Sequence, residues 1–268
     1  MEATQQAERP KIYAEREGAT GWIVFNQPAK RNAMSMDMWQ ALPELIAAHV
    51  ADSEVRVILL RGAGSEAFVS GADISQFESL RADMSQAEAY NAATDVAQQA
   101  IKACEKPTVA VIFGYCFGGG MGIASCCDLR IAAENARFRI PAARLGLAYG
   151  FEGIRHLISL VGAAATREIF ITAATYGPEE MLRIGYLNRV FPKDKLEAEA
   201  RHYAERIAKN APLTVRAIKL AVAEAVKDRE ARDMAKVEEA MRRCFDSKDY
   251  EEGRRAFMEK REPKFTGT

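Results

Sequence analysis

Thr108-Val-Ala-Val-Ile-Phe-Gly114-Tyr-Cys-Phe-Gly118-Gly-Gly-Met-Gly122 passes from a continuous apolar, β-branched run into a cluster of glycines. A run without polar alternation suits a strand covered on both faces. The glycines allow a backbone to approach a ligand closely, and the small residues behind them can open a helix with free N–H groups. Such a strand–turn–helix unit can hold a phosphate or aim a backbone donor at an oxyanion. Tight packing of strand on helix is the structural alternative. The turn is neither a dinucleotide fingerprint nor a P-loop: no G-x-G-x-x-G falls on it, and no Gly-Lys-Ser/Thr ends it.

Working outward, the same β-rich texture recurs at Gly21–Asn26, Val55–Arg61 and Asp128–Ala132. Between these runs lie helical patterns. Ser35 can cap a helix running towards Val50, with Met38, Leu42, Leu45 and Ile46 at helical spacing. Pro43 falls inside it, where a proline costs ~3 kcal/mol, so a kink or a helix restart is expected. The Ala-rich stretch Ser85–Ala103 reads as a long, closely packing helix. Beyond Phe191-Pro192 three charged, amphipathic helical patterns follow without a strand: Leu196–Asn210, Leu213–Val226 and Asp233–Phe245. The class is therefore α/β, with a mixed core over 11–192 and a helical region over 193–268.

The chain has 268 residues, 49% of them hydrophobic, and balances 37 basic against 37 acidic side chains. That length suffices for a sizeable core, and zero net charge argues against a nucleic-acid partner. No apolar run reaches membrane-spanning length. The polar start, Met1–Pro10, resembles neither a signal nor a transit peptide. The five cysteines (Cys104, Cys116, Cys126, Cys127, Cys244) show no paired metal spacing and read as buried thiols in a reducing cytoplasm. His49, His156 and His202 each lie in a helical pattern, with no Ser–His–Asp arrangement and no metal-ligand spacing.

A second glycine turn also follows a strand: Gly62-Ala-Gly-Ser-Glu-Ala-Phe-Val-Ser-Gly71-Ala-Asp-Ile74. With the first, it makes two strand-ending turns that could each offer one N–H to the same oxygen. Together with Asn26-Gln-Pro-Ala-Lys30-Arg-Asn-Ala-Met-Ser35, with Lys106-Pro107 and with Asp128-Leu-Arg-Ile-Ala, these motifs resemble, in order, those of the crotonase (enoyl-CoA hydratase/isomerase) superfamily. The likeness runs from about Gly21 to Lys260. It implies a spiral of ββα units followed by a helical trimerisation region, hence a homotrimer or a dimer of trimers. By this resemblance the substrate is an acyl-CoA thioester, coenzyme A being part of the substrate with no separate cofactor. The N–H groups of Ala72 and Gly119 would form an oxyanion hole. Lys30, Arg31, Ala33, Ser70, Asp73 and Ile74 match positions lining the nucleotide, and Phe257 and Lys260 match residues that reach a neighbouring subunit's coenzyme A. A solvated, charge-rich helix face is the alternative for that last pair.

The chain departs from the hydratases at their two catalytic glutamates. The matching positions are Gly122 and Ala142, and neither side chain can move a proton. Beyond them, Leu145-Gly-Leu-Ala-Tyr149-Gly-Phe-Glu152-Gly-Ile154 introduces a tyrosine and a glutamate and is similar to the methylmalonyl-CoA decarboxylase branch. That branch keeps an acidic residue where Gly122 stands and a hydroxyl residue where Ile140 stands. Decarboxylation or thioester hydrolysis is thus expected ahead of hydration, with Tyr149 and Glu152 as polar participants. Two alternatives stay open: a non-catalytic acyl-CoA-binding protein, and a hydratase or isomerase using a displaced carboxylate such as Glu152. Tyr149 packing on Phe151, and Glu152 as a helix N-terminal charge, are the structural readings of those residues. Met84, Phe77, Leu80 and Phe151 suggest an apolar wall for the acyl group.

Overall fold

Period-2 alternation on fully covered strands sets the architecture. In a computed structural model describing residues 9–73 and 84–268, the main sheet has the order β1 (Ile12–Glu17), β2 (Thr20–Phe25), β3 (Val57–Gly62), β5 (Thr108–Ile112), β7 (Leu129–Ala133) and β9 (Arg189–Phe191). Only the β1–β2 pair is antiparallel; the other neighbours run parallel. Successive side chains of a strand point to opposite faces. Accordingly Ile23, Phe25, Ile58, Leu60, Ala110 and Ile112 fill one core, while Trp22, Val24, Val57, Leu59, Val109 and Val111 fill another. The four β-rich runs expected from the sequence correspond to β2, β3, β5 and β7.

A second, small parallel sheet has the order β4 (Ala67–Val69), β6 (Tyr115–Phe117), β8 (Arg137–Arg139). The strands β3, β5 and β7 each lead into one of these three-residue strands before a helix follows. The chain thus winds in repeated ββα turns, and the passages from β3 to β4 and from β5 to β6 each contain a glycine, Gly64 and Gly114. The short strands carry too few residues for a periodic signal, which is why the sequence did not show them.

The helices cover the faces. On the first pack α1 (Met36–Ala51), α2 (Met84–Ala103) and α3 (Gly119–Cys126). Pro43 lies inside α1, yet the helix continues as one element without the expected restart; Met38, Trp39, Leu42 and Ile46, all buried, anchor it on both sides of the proline. Next come α4 (Phe151–Thr172), interrupted by Gly162 at φ 77°, and the short α5 (Pro178–Arg183). Four further helices end the chain: α6 (Leu196–Ala208), α7 (Pro212–Ala225), α8 (Met234–Phe245) and α9 (Lys248–Glu259). The first of them is part of the sheet's own packing, since Leu196, Ala200 and Ala204 close the second face.

Two polar anchors hold helices to the sheet at the starts of β5 and β7. Lys106 Nζ donates to the carbonyls of His49 (2.7 Å) and Asp52 (2.6 Å), capping the end of α1. Asp128 Oδ2 accepts from Thr108 N (2.7 Å), Thr108 Oγ1 (2.9 Å) and Lys219 Nζ (2.7 Å), joining β5, β7 and α7. No helix among the described residues is long and apolar enough to cross a membrane.

Candidate active site

The two glycine turns meet. Gly71 stands at φ 119° and Gly118 at φ 48°, both in the region that favours glycine. A Cβ placed on Gly118 would lie 4.0 Å from Gly71 Cα, so the residues preceding Ala72 and Gly119 are adjacent. The backbone around Ala72 is fixed on both sides, Met34 N donating to Gly71 O (2.8 Å) and Asp73 N to Met34 O (2.9 Å). Gly119 is the first residue of α3, where an N–H has no intrahelical acceptor. Neither the Ala72 nor the Gly119 N–H has an acceptor among the described residues. A side chain at Gly120 would collide with the Val69 carbonyl, so only glycine lets α3 press this closely against β4.

Beside this pair runs the segment from Pro28 to Met34. Arg31 and Asn32 have φ of 51° and 56°. Asn32 is buried and holds the bend: its Nδ2 donates to Ala63 O (3.0 Å) and Ala67 O (2.8 Å), and its Oδ1 accepts from Gln27 N (3.0 Å). The expected nucleotide-side residues gather here. Lys30 Nζ pairs with the buried Asp73 at 2.7 Å, Ser70 Oγ donates to Lys30 O at 3.3 Å, and Ser70 N donates to Arg31 O at 3.1 Å. The Arg31 guanidinium lies 4.8 Å over the Tyr115 ring, and Ala33 is buried. Ile74, Phe77 and Leu80 lie outside the described residues, as does the side chain of Met84. Phe257 and Lys260 are elsewhere, at the end of α9, where the Phe257 ring is 83% exposed.

A small cavity lies along α3, lined by that helix from Met121 and Gly122 to Ser125 and Cys126. Gln98 and Lys102 from α2, Gly122, Ser125 and Cys126 from α3, and Tyr149, His156 and Phe170 are among its lining. At the level of Gly122, a Cβ would meet Gln98 Nε2 at 2.8 Å and Tyr149 Oη at 3.9 Å. An amide and a phenol thus occupy the space of the side chain that glycine lacks. The Tyr149 ring packs edge-on against Phe170 (4.7 Å between centroids) rather than on Phe151. Burial pushes its hydroxyl up to about 12, so the phenol is neutral across the physiological range. Cys126, likewise raised to about 12 by burial, stays a thiol and donates to Gln98 Oε1 at 3.9 Å.

His156 Nε2 lies 2.8 Å from the Ser125 carbonyl. A carbonyl can only accept, so Nε2 carries the hydrogen and Nδ1 of the neutral ring is the acceptor. Burial, joined by the charges of Lys102, Arg130 and Arg155, holds this histidine below its ordinary pKa against the opposing pull of the Ser125 bond. Glu152 departs from expectation. It belongs to the first turn of α4, its side chain is 71% exposed and it pairs with Arg155 at 3.0 Å, away from the cavity lining. The i,i+3 spacing to Arg155 and the helix N-terminus account for it. Phe151, at 74% exposure, likewise forms no wall of the cavity.

The comparisons with known proteins decide the family. The sequence profile of the Enoyl-CoA hydratase/isomerase family matches residues 15–268. The chain belongs to the enoyl-CoA hydratase/isomerase family. Within it, the chain is 34% identical to a crotonyl-CoA hydratase of Syntrophomonas wolfei, over 95% of this chain and 97% of that one. It is 33% identical to a short-chain-enoyl-CoA hydratase of Clostridium acetobutylicum, over 93% and 95% of the respective chains. A crystal structure of an enoyl-CoA hydratase/carnithine racemase from Magnetospirillum magneticum superposes with TM-score 0.92 at 36% identity, covering 97% of each chain. The fold is therefore the crotonase spiral, and the protein is an acyl-CoA enzyme of the enoyl-CoA hydratase/isomerase family.

Among the described residues the lining of the cavity holds no carboxylate. Gln98, Lys102, Ser125 and His156 are polar lining residues that sequence reasoning did not assign to the site. Gln98 and Lys102 are spaced i,i+4 on one helix face, a pattern shared by any solvated stripe, and only the packing of α2 on α3 turns it inward. No group of three or more His, Cys, Asp or Glu that could hold a metal occurs among the described residues.

Proposed function

We propose that the protein binds an acyl-CoA thioester with its carbonyl oxygen on the Ala72 and Gly119 N–H groups, and that its reaction is decarboxylation or thioester hydrolysis rather than hydration. The observation that carries this is that, among the described residues, the lining at the level of Gly122 holds no carboxylate, and Gln98 and Tyr149 stand there instead. Hydration needs one group to activate water and another to protonate the α-carbon. Decarboxylation needs no base. In a 2-carboxyacyl thioester the bond to the carboxylate breaks, its electron pair passes to the α-carbon and on to the thioester oxygen, and CO2 leaves. The resulting enolate is what two fixed N–H donors stabilise, each worth ~3–4 kcal/mol in comparable sites. The α-carbon then takes a proton from the neutral Tyr149 hydroxyl or from water. Lys30, Arg31, Ala33, Ser70 and Asp73 hold the nucleotide end, with Ile74 assigned the same role by family resemblance. Phe257 and Lys260 serve a neighbouring subunit in a trimer; the exposed apolar side chains of Ile218, Val222 and Phe245 on α7 and α8 support such assembly.

A second reading rests on His156. Its neutral ring leaves Nδ1 free to take a proton from water, which favours thioester hydrolysis, or hydration of the kind named for the relatives from S. wolfei and C. acetobutylicum. Mass spectrometry of the protein with malonyl-, methylmalonyl-, succinyl- and crotonyl-CoA separates these outcomes. Loss of CO2 or release of free coenzyme A supports the proposal. Addition of water to crotonyl-CoA, abolished by His156→Gln, transfers the assignment to the second reading.

A further inference from the structure

The cavity lining contains a cation that has no counter-ion among the described residues. Lys102 lines it and makes no ion pair or hydrogen bond with any described residue, whereas Lys30, Lys219 and Lys227 each pair with a carboxylate at 2.7 Å. Beside it in the lining stand the Gln98 amide, the Tyr149 phenol, the Cys126 thiol and His156, whose pKa is lowered by burial, with the charges of Arg130 and Arg155 adding to that of Lys102. The charge of Lys102 bears on both Cys126 and His156, lowering the pKa of each. Cys126 lies four residues beyond Gly122 on α3, roughly 6 Å further along the helix axis at ~1.5 Å per residue. Gln98 and Lys102 stand four residues apart on α2, so the lining along α3 carries Lys102 and His156 in addition to the Gln98 and Tyr149 that face Gly122.

We infer that Lys102, with His156 beside it, forms an anion-binding subsite that receives the terminal carboxylate of a dicarboxylic acyl group. The inference rests on the acyl-CoA reading above, which places the thioester at Ala72 and Gly119 and hence the acyl tail along α3. An unpaired ammonium in a partly enclosed cavity attracts an anion more strongly than one in bulk water, because the local dielectric is lower. Tyr149 and Gln98 supply hydrogen-bond donors along the way. A neutral alkyl tail would leave the ammonium desolvated without compensation, so the subsite discriminates against it.

Binding rather than turnover tests the subsite. Dissociation constants of malonyl-, succinyl- and glutaryl-CoA are compared with those of butyryl- and hexanoyl-CoA for the wild-type protein, Lys102→Met and Lys102→Arg. The expected result is at least tenfold tighter binding of succinyl- or glutaryl-CoA than of the neutral esters. Lys102→Met abolishes that preference, Lys102→Arg retains most of it, and neutral esters bind all three proteins alike. Equal affinity for charged and neutral esters in the wild type overturns the subsite alone, whatever the variants do. Failure of every ester to bind overturns the acyl-CoA reading and the subsite with it.

Discussion

Gly118→Ala perturbs the proposed oxyanion geometry while leaving the cavity's side chains in place. Gly118 has φ 48° and ψ −110°, a backbone conformation essentially closed to residues with a Cβ. Space is not the obstacle: an added methyl would meet Pro141 Cδ at 3.9 Å and Gly71 Cα at 4.0 Å, both ordinary contacts. The cost is torsional, about 1–3 kcal/mol for a residue held in a sparsely populated region. Relief of that strain rotates the peptide between residues 118 and 119, which carries the Gly119 N–H. A mis-aimed oxyanion donor lowers kcat by roughly 10²–10³-fold. The expected outcome is therefore a modest fall in Tm, a Kd for coenzyme A changed little, and a kcat reduced by at least two orders of magnitude. Steady-state kinetics on whichever ester is turned over, with calorimetry on the same samples, make the comparison. A variant that loses stability as expected yet keeps wild-type kcat would refute the assignment of Gly119 as an oxyanion donor.

Tyr149→Phe keeps the ring against Phe170 and removes only the hydroxyl; stability should change by less than about 1 kcal/mol while turnover falls about tenfold, the scale of one hydrogen bond. In an ultraviolet titration compared with that of Tyr149→Phe, the Tyr149 phenolate should appear only near pH 12. His156 predicts a pH dependence of stability. Its folded pKa is lowered by burial, so its contribution is complete above the ordinary value of ~6.5 and is lost as pH falls through the folded pKa, where the unfolded chain binds a proton the native ring refuses. Denaturant midpoints measured between pH 7.5 and pH 5 should drop, and His156→Gln should flatten that slope. Asp128→Ala removes the acceptor for Thr108 N, Thr108 Oγ1 and Lys219 Nζ and should cost about 2–4 kcal/mol by chemical denaturation, because Lys219 is left unpaired in a partly buried position.

The main sheet was legible because its strands are covered on both faces and so read as unbroken apolar runs, from Trp22-Ile-Val-Phe25 to Val109-Ala-Val-Ile112. The three-residue strands β4, β6 and β8 were not, since their position depends on neighbours distant in sequence. The last helix, Lys248–Glu259, also escaped: its pattern is almost wholly charged, and its place is set by Asp249 and Glu252 holding the chain end at Thr266, Gly267, Arg261 and Lys264. At the site, the two glycine turns announced themselves through composition. Glu152 misled because a carboxylate near a tyrosine in a loop gives no hint of whether a helix begins there; once α4 starts at Phe151, Arg155 is its neighbour. Lys102 and His156 were invisible as site residues because their convergence requires α2 and α4 to flank α3, a tertiary fact absent from any local pattern.

The most direct test of an oxyanion site working without paired carboxylates is a side-by-side incubation of malonyl-CoA and crotonyl-CoA in D2O, read by mass spectrometry. The account predicts either CO2 loss from malonyl-CoA, with deuterium appearing at the α-carbon of the acetyl-CoA formed, or release of free coenzyme A by thioester hydrolysis, and in both cases no adduct of crotonyl-CoA. Rapid addition of D2O across the double bond of crotonyl-CoA, with malonyl-CoA returned intact, would contradict it.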